Sequence, residues 1–246
     1  MIEFSDAELY LRGAATLVAS WEAYTRGAPG AAVQCDPGVV SAVFPHEPES
    51  AFYNNALFER DLEGAERADA LYAMEATYVA AGVRRFAAWV HEGDAAMRGD
   101  LEQRGYTLDT STRAMGMALG DVPLPRPEIE LGSLNWCEYL SLFGLPPGLL
   151  GGADLSSFRL VVARLDGEDV AAALTFDHGG DCGIYNIETL EHARRCGLST
   201  ALTALLLHNA LARGCQTASL QSTPMAERVY AAVGFRDLGR ILEYVP

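Results

Sequence analysis

The chain contains no lysine: its eighteen basic residues are all arginine, set against thirty-three acids. The formal net charge is −15, with nine arginines against eighteen acids in residues 1–120 and nine against fifteen in the remainder. Both halves would repel a phosphate backbone, so nucleic acid is not an expected partner. A cationic or amine-bearing partner would be attracted. No apolar run reaches the roughly twenty residues of a membrane span, and Met1-Ile2-Glu3-Phe4-Ser5-Asp6 lacks the basic start of a signal peptide. No membrane association is expected. The five cysteines (Cys35, Cys137, Cys182, Cys196, Cys215) are odd in number and scattered, which favours free thiols in a reducing cytoplasm. No His/Cys set has metal-ligand spacing, and no Ser-His-Asp order stands out, so no metal is expected.

Half of the 246 residues are apolar, enough for a sizeable core in one large or two compact domains. Ala7 to Tyr24 reads as a helix, followed by strand-like runs at Ala31 to Cys35, Val39 to Phe44 and Phe52 to Leu57. Asp69 to Ala81 reads as helix, Phe86 to Val90 as strand, Asp94 to Gln103 as helix and Thr112 to Leu119 as a closing strand. Asp121-Val122-Pro123-Leu124-Pro125-Arg126-Pro127 is an extended, stiff linker that should hold the halves in a defined relation. Helix Leu134 to Phe143 follows, then Pro146-Pro147-Gly148 and Gly151-Gly152, an irregular stretch that could border a cleft. Phe158 to Arg164 and Val170 to Phe176 are strands joined at Asp166-Gly167, and Asp177 to Asp181 is a second turn leading into Gly183 to Thr189.

From that last strand the chain passes through Arg194-Arg195-Cys196-Gly197-Leu198-Ser199 into a helix, Ser199 to Arg213. Small residues sit where the backbone must come close to something, and a helix N-terminus with free amides is an anion site. A short strand at Thr217 to Gln221 follows. A second helix is expected with Thr223 as N-cap, Pro224 in its first turn, Tyr230 within it and Gly234 just past its end. Leu238 to Val245 closes the chain as a strand.

The pair Arg-x-x-Gly-x-small opening one helix and Tyr-x-x-x-Gly-Phe closing a later one resembles the GCN5-related N-acetyltransferases (GNAT), over about Phe158 to Val245. The resemblance implies acetyl-CoA as acyl donor and an amine, on a small molecule or a peptide, as acceptor. It implies that the amides of Arg194, Arg195, Cys196, Gly197, Leu198, Ser199 and Thr200 wrap the pyrophosphate. Ile187 and Thr189, on a strand splayed from its neighbour, would hold the pantetheine and acyl carbonyl. Tyr230 would protonate the departing thiolate, and Glu188 is the candidate base. Asp177, His178 and Glu227 are weaker candidates that turn polarity and a helix first turn already explain. Ser199 departs from the glycine or alanine the family favours there, yet keeps a small side chain and its amide.

The N-terminal half repeats the pattern. Phe52-Tyr53-Asn54 echoes Ile184-Tyr185-Asn186 at an offset of 132, and Arg104-Gly105-Tyr106 echoes Val233-Gly234-Phe235 at 129. Internal self-similarity decides architecture. In the copy, Leu62-Glu63-Gly64-Ala65-Glu66 replaces the loop, putting carboxylates where phosphates would lie, and Leu101 stands at the place of Tyr230. His91 sits near the end of the repeated strand. The expected fold is α/β of the mixed-sheet, α+β kind: two tandem GNAT-like domains, each a mostly antiparallel sheet flanked by helices with a splayed central strand pair. A degenerate domain over 1–120 would not bind acyl-CoA, the linker spans 121–128, and the catalytic domain spans 129–246. The alternative is a non-catalytic acyl-CoA-binding or regulatory protein. A monomer or a homodimer is compatible with the sequence.

Overall fold

A computed structural model describes residues 3–145 and 155–246. In chain order its elements begin with α1 (Asp6–Thr25), β1 (Ala32–Asp36), β2 (Val39–Val43), β3 (Asn55–Phe58), α2 (Gly64–Ala80) and β4 (Ala87–His91). Next come α3 (Ala95–Gln103), β5 (Thr107–Ala118), β6 (Leu131–Gly132), α4 (Trp136–Leu142), β7 (Phe158–Leu165) and β8 (Glu168–His178). The last are β9 (Asp181–Thr189), α5 (Leu198–Ala212), β10 (Thr217–Ser222), α6 (Glu227–Val233) and β11 (Arg236–Val245). The fold is α+β, with mixed and mostly antiparallel strand pairing.

The described residues divide into two compact units, and neither is a contiguous half. One holds 3–20, 113–145 and 155–238; the other holds 21–112 and 239–246. In the second unit β1, β2 and β3 pair antiparallel, β3 runs parallel to β4, and β11 lies antiparallel to β4 from Ile241 opposite His91 to Tyr244 opposite Ala88. Helix α2 buries Ala70, Leu71, Met74 and Tyr78 along one face, the spacing of an amphipathic helix. Tyr78 stacks on Phe86 at 4.0 Å between ring centroids, within a core that takes in Met97, Leu101, Leu242 and Tyr244.

The first unit repeats the order. β6, β7, β8 and β9 pair antiparallel, β9 runs parallel to β10, and β5 lies antiparallel to β10 from Arg113 opposite Ser222 to Ala118 opposite Thr217. The strand closing each half of the sequence therefore completes the ladder of the other unit. Apolar residues on several sides of α5 (Leu202, Leu205, Leu206, Leu207) are all buried, as the sequence leads one to expect.

Three sequence expectations are corrected. Tyr53 lies in a turn before β3, whereas Tyr185 lies within β9, so their likeness is not structural equivalence. The parallel ladders start at Asn55 and at Asp181, and pairing register decides equivalence. Helix α2 starts at Gly64 rather than Asp69, because Glu63 serves as its N-cap and the Glu66 carboxylate accepts from the Glu63 amide at 3.0 Å. Helix α6 starts at Glu227; Thr223 to Ala226 form a separate turn, closed by the Ala226 amide on the Thr223 carbonyl at 3.0 Å, so Pro224 precedes the helix.

The proline segment is held down. Val122, Leu124 and Ile129 pack on the core of the first unit, and the Leu124 carbonyl lies 2.9 Å from His208 Nε2. Pro146-Pro147-Gly148 and Gly151-Gly152 lie outside the described residues. Among those described, no helix is long and apolar enough to cross a membrane.

Candidate active site

Strand β9 positions the site. Its parallel pairing with β10 is limited to Asp181, Cys182 and Gly183 opposite Thr217, Ala218 and Ser219. Beyond Gly183 it continues to Thr189 with only β8 as a paired neighbour. Where pairing stops, the side of β9 toward β10 is no longer occupied by a ladder, and its backbone groups can serve a ligand.

On its other edge β9 carries a bulge. Ala172 opposes Glu188 and Leu174 opposes Tyr185, so Asn186 and Ile187 share a single opposite residue, Ala173. Asn186 takes φ +49°, a left-handed conformation that asparagine tolerates better than most residues. Ile187 packs on the core, while Glu188 is exposed and its carboxylate makes no hydrogen bond or ion pair among the described residues. The bulge was not foreseen; the visible signal was an asparagine inside a β-prone run.

The turn from β9 into α5 is braced from within. Arg194 Nε donates to the Thr189 carbonyl at 3.0 Å, and the Cys196 thiol lies 2.9 Å from the Ala193 carbonyl. Arg195 is exposed at φ +62°. Gly197 is the N-cap of α5 at φ +84°, with open space where a side chain would start. It contributes no capping side chain, and the first turn contains no acid, so the amides of Leu198, Ser199 and Thr200 meet no internal carboxylate. The Ser199 hydroxyl lies 3.0 Å from that of Thr189, and the Thr203 hydroxyl donates to the Ser199 carbonyl at 2.8 Å. The corresponding helix start in the other unit, at α2, is closed by Glu66.

Tyr230 is buried on α6, its ring edge-on to Phe235 at 6.0 Å, with Gly234 closing the helix at φ +109°. Burial, with the Glu188 charge adding to it, pushes its phenol up to about 12. It is a neutral proton donor across the physiological range. Tyr139, on α4, was not among the candidates. It is wholly buried, and its phenol is raised by burial first and by Glu188 second. The signal for α4 was present: Asn135 and Glu138 form the capping box that starts it.

The weaker candidates are committed elsewhere. Asp177 accepts from Arg213 at 2.6 and 2.8 Å and lies 3.2 Å from Arg159. Burial alone would raise its carboxyl, but the Arg213 bonds and charge, with smaller help from Cys182 and Arg159, hold it below its ordinary range. Glu227 pairs with Arg113 at 3.1 Å. His178 is exposed, and His91 Nδ1 accepts from the Gly93 amide at 3.0 Å. Among the described residues no group of His, Cys, Asp and Glu could hold a metal ion.

Residues 150–223 match the family model described as an acetyltransferase (GNAT) domain. No curated protein matches the chain. A GCN5-related N-acetyltransferase from Kribbella flavida has the same fold, with a TM-score of 0.70 at 18% identity, over 96% of this chain and 95% of that one. One from Sphaerobacter thermophilus gives 0.62 at 17% identity, over 87% and 81%. A tandem GNAT protein from the clavulanic acid biosynthesis pathway gives 0.59 at 15% identity, over 90% and 84%. The chain has a GNAT acetyltransferase fold, and its likeness extends to a tandem GNAT protein.

Proposed function

We propose that the chain is an acetyl-CoA-dependent N-acyltransferase, with its activity in the unit that carries β9, α5 and α6. The observation that supports this most is the pairing of a strand that has left its neighbour with a helix N-terminus that nothing internal caps. An anionic phosphate group suits the second and an extended pantetheine arm suits the first. The residues present fit acetyl-CoA in kind: Gly197 leaves room, no first-turn acid opposes a phosphate, and the neighbouring Arg195 is exposed and basic.

Acetyl-CoA supplies an acyl group activated as a thioester. Glu188 accepts a proton from the ammonium form of the acceptor, leaving a neutral amine to attack the acyl carbon. Backbone amides of β9 beside the bulge polarise the acyl oxygen. Tyr230 gives its proton to the thiolate as the C–S bond breaks, the attacking nitrogen releases its remaining extra proton to solvent as the amide forms, and Tyr230 regains one from solvent. Ile187 and Thr189 contribute through their backbone, and Arg194 through its brace on Thr189. The copy in the other unit serves as scaffold, because Glu66 occupies its helix start.

Isothermal titration with acetyl-CoA tests the reading. Binding in the micromolar range that Gly197→Glu abolishes supports it, together with release of CoA thiol when amines are added. Binding without turnover of any amine, unaffected by Tyr230→Phe, indicates a non-catalytic acyl-CoA-binding protein. No binding at millimolar acetyl-CoA overturns both.

A further inference from the structure

Beyond Gly183 and Ser219, the last residues of their ladder, β9 and β10 run on in the same direction without pairing, β9 to Thr189 and β10 to Ser222, where β5 holds it. The cleft between them is open on the side where β9 leads to α5 and closes at that last pair. Its closed end is covered on both strands. Helix α1 lies on Ser219: a side-chain carbon at Gly13 would stand 2.8 Å from Ser219 Cβ, and the Ser219 hydroxyl donates to the buried Asp181 carboxylate at 2.6 Å. The half-buried Tyr185 ring lies over Gly183, where a side-chain carbon would stand 2.6 Å from Tyr185 Cζ and 2.8 Å from Cε2. Only glycine at 183 lets this ring fold back along its own strand toward the closed end. Cys182 and Ile184 belong to the core shared with α5, so Gly183 and Tyr185 take the opposite face of β9. The bulge makes Glu188 the next side chain on that face, since Tyr185 and Glu188 oppose Leu174 and Ala172, two residues apart on β8.

Resting on the acyltransferase reading, we propose that Tyr185 is the specificity-determining residue of the acyl subsite, and that the chain takes acetyl and propionyl groups and turns away longer ones. Phosphates belong at the start of α5, so the pantetheine arm runs along β9 from Thr189 toward Gly183. Its acyl end therefore points at the closed end of the cleft. A strand rises about 3.3 Å per residue, so an acyl carbonyl beside the bulge stands roughly one residue from Tyr185. An acetyl or propionyl tail ends within that length, whereas a butyryl tail runs into the ring. Glu188, beyond the bulge on the same face, is left to the acceptor amine.

The test is isothermal titration of the full chain with CoA and with acetyl-, propionyl-, butyryl- and hexanoyl-CoA, which requires no acceptor. Wild-type protein should bind butyryl-CoA about tenfold or more weakly than acetyl-CoA, the scale of two methylenes denied burial, and hexanoyl-CoA more weakly still. Tyr185→Ala should recover that factor for butyryl-CoA and leave the affinity for CoA itself unchanged, which also shows that the variant is folded. Tyr185→Leu, apolar but shorter than the ring, should move in the same direction by less. Tyr185→Phe keeps the ring and should keep the wild-type order. Equal wild-type affinity for acetyl- and butyryl-CoA overturns the role of Tyr185, as does a wild-type order in both Tyr185→Ala and Tyr185→Leu. In either case intact acetyl-CoA binding leaves the acyltransferase reading standing. Absence of acetyl-CoA binding overturns that reading, and the subsite with it.

Discussion

The hydroxyls of Thr189 and Ser199 lie 3.0 Å apart and tie the end of β9 to the first turn of α5. Ser199 is therefore a structural fastener. Ser199→Ala should cost about 1 kcal/mol, the net worth of one hydrogen bond, measured by chemical denaturation. The Ser199 amide remains in the variant, so acetyl-CoA affinity should change by less than about threefold.

Gly197 and Gly234 both adopt positive φ, yet their substitutions should differ. Gly197 stands in open space, so Gly197→Ala pays backbone strain alone, about 1 kcal/mol. A side chain at Gly234 would also sit 3.1 Å from Pro123 of the packed proline segment. Gly234→Ala should therefore lower the melting temperature more than Gly197→Ala. Thermal denaturation of the two variants side by side checks the order.

Tyr230→Phe should lower kcat by about a hundredfold, the usual scale for a lost general acid. Acetyl-CoA affinity by titration should barely change, because the role proposed for the phenol is on the leaving thiolate rather than on the bound thioester. An unchanged kcat would remove Tyr230 from the mechanism.

Alkaline stability should report the buried phenols. Tyr230 is held protonated to about 12 by burial and by Glu188, and Tyr139 is raised for the same two reasons. In the unfolded chain a phenol ionises near 10. Between these values the folded protein binds more protons than the unfolded one, so stability falls as pH rises through that window and is intact below it. Tyr139→Phe should flatten the decline. Denaturant midpoints from pH 8 to 11.5 measure the slope.

Most elements were legible because local chemistry specified them. The Gly197 and Gly234 positions, the Asp166-Gly167 hairpin and the apolar α5 all follow from periodicity and turn residues. The capping box at Glu63 and Glu66 was present in the sequence, but the charges were read as a loop unsuited to phosphate rather than as a helix start. What could not be read was long-range pairing. The bulge at Asn186 depends on register with β8, and the burial of Tyr139 depends on how α4 lies on its unit. The crossing of β5 and β11 between units leaves no trace in periodicity, since a closing strand has the same pattern whichever ladder it joins.

That crossing has a consequence for inheritance. A gene cut at the proline segment would yield two polypeptides, each carrying the final strand its sister requires and missing its own. Residues 129–246 expressed alone should remain unfolded by circular dichroism, and co-expression with 1–128 should rescue them. The two halves are then kept together in the genome by a mutual debt of backbone hydrogen bonds, and mutation is free to alter the chemistry of either but not its last strand.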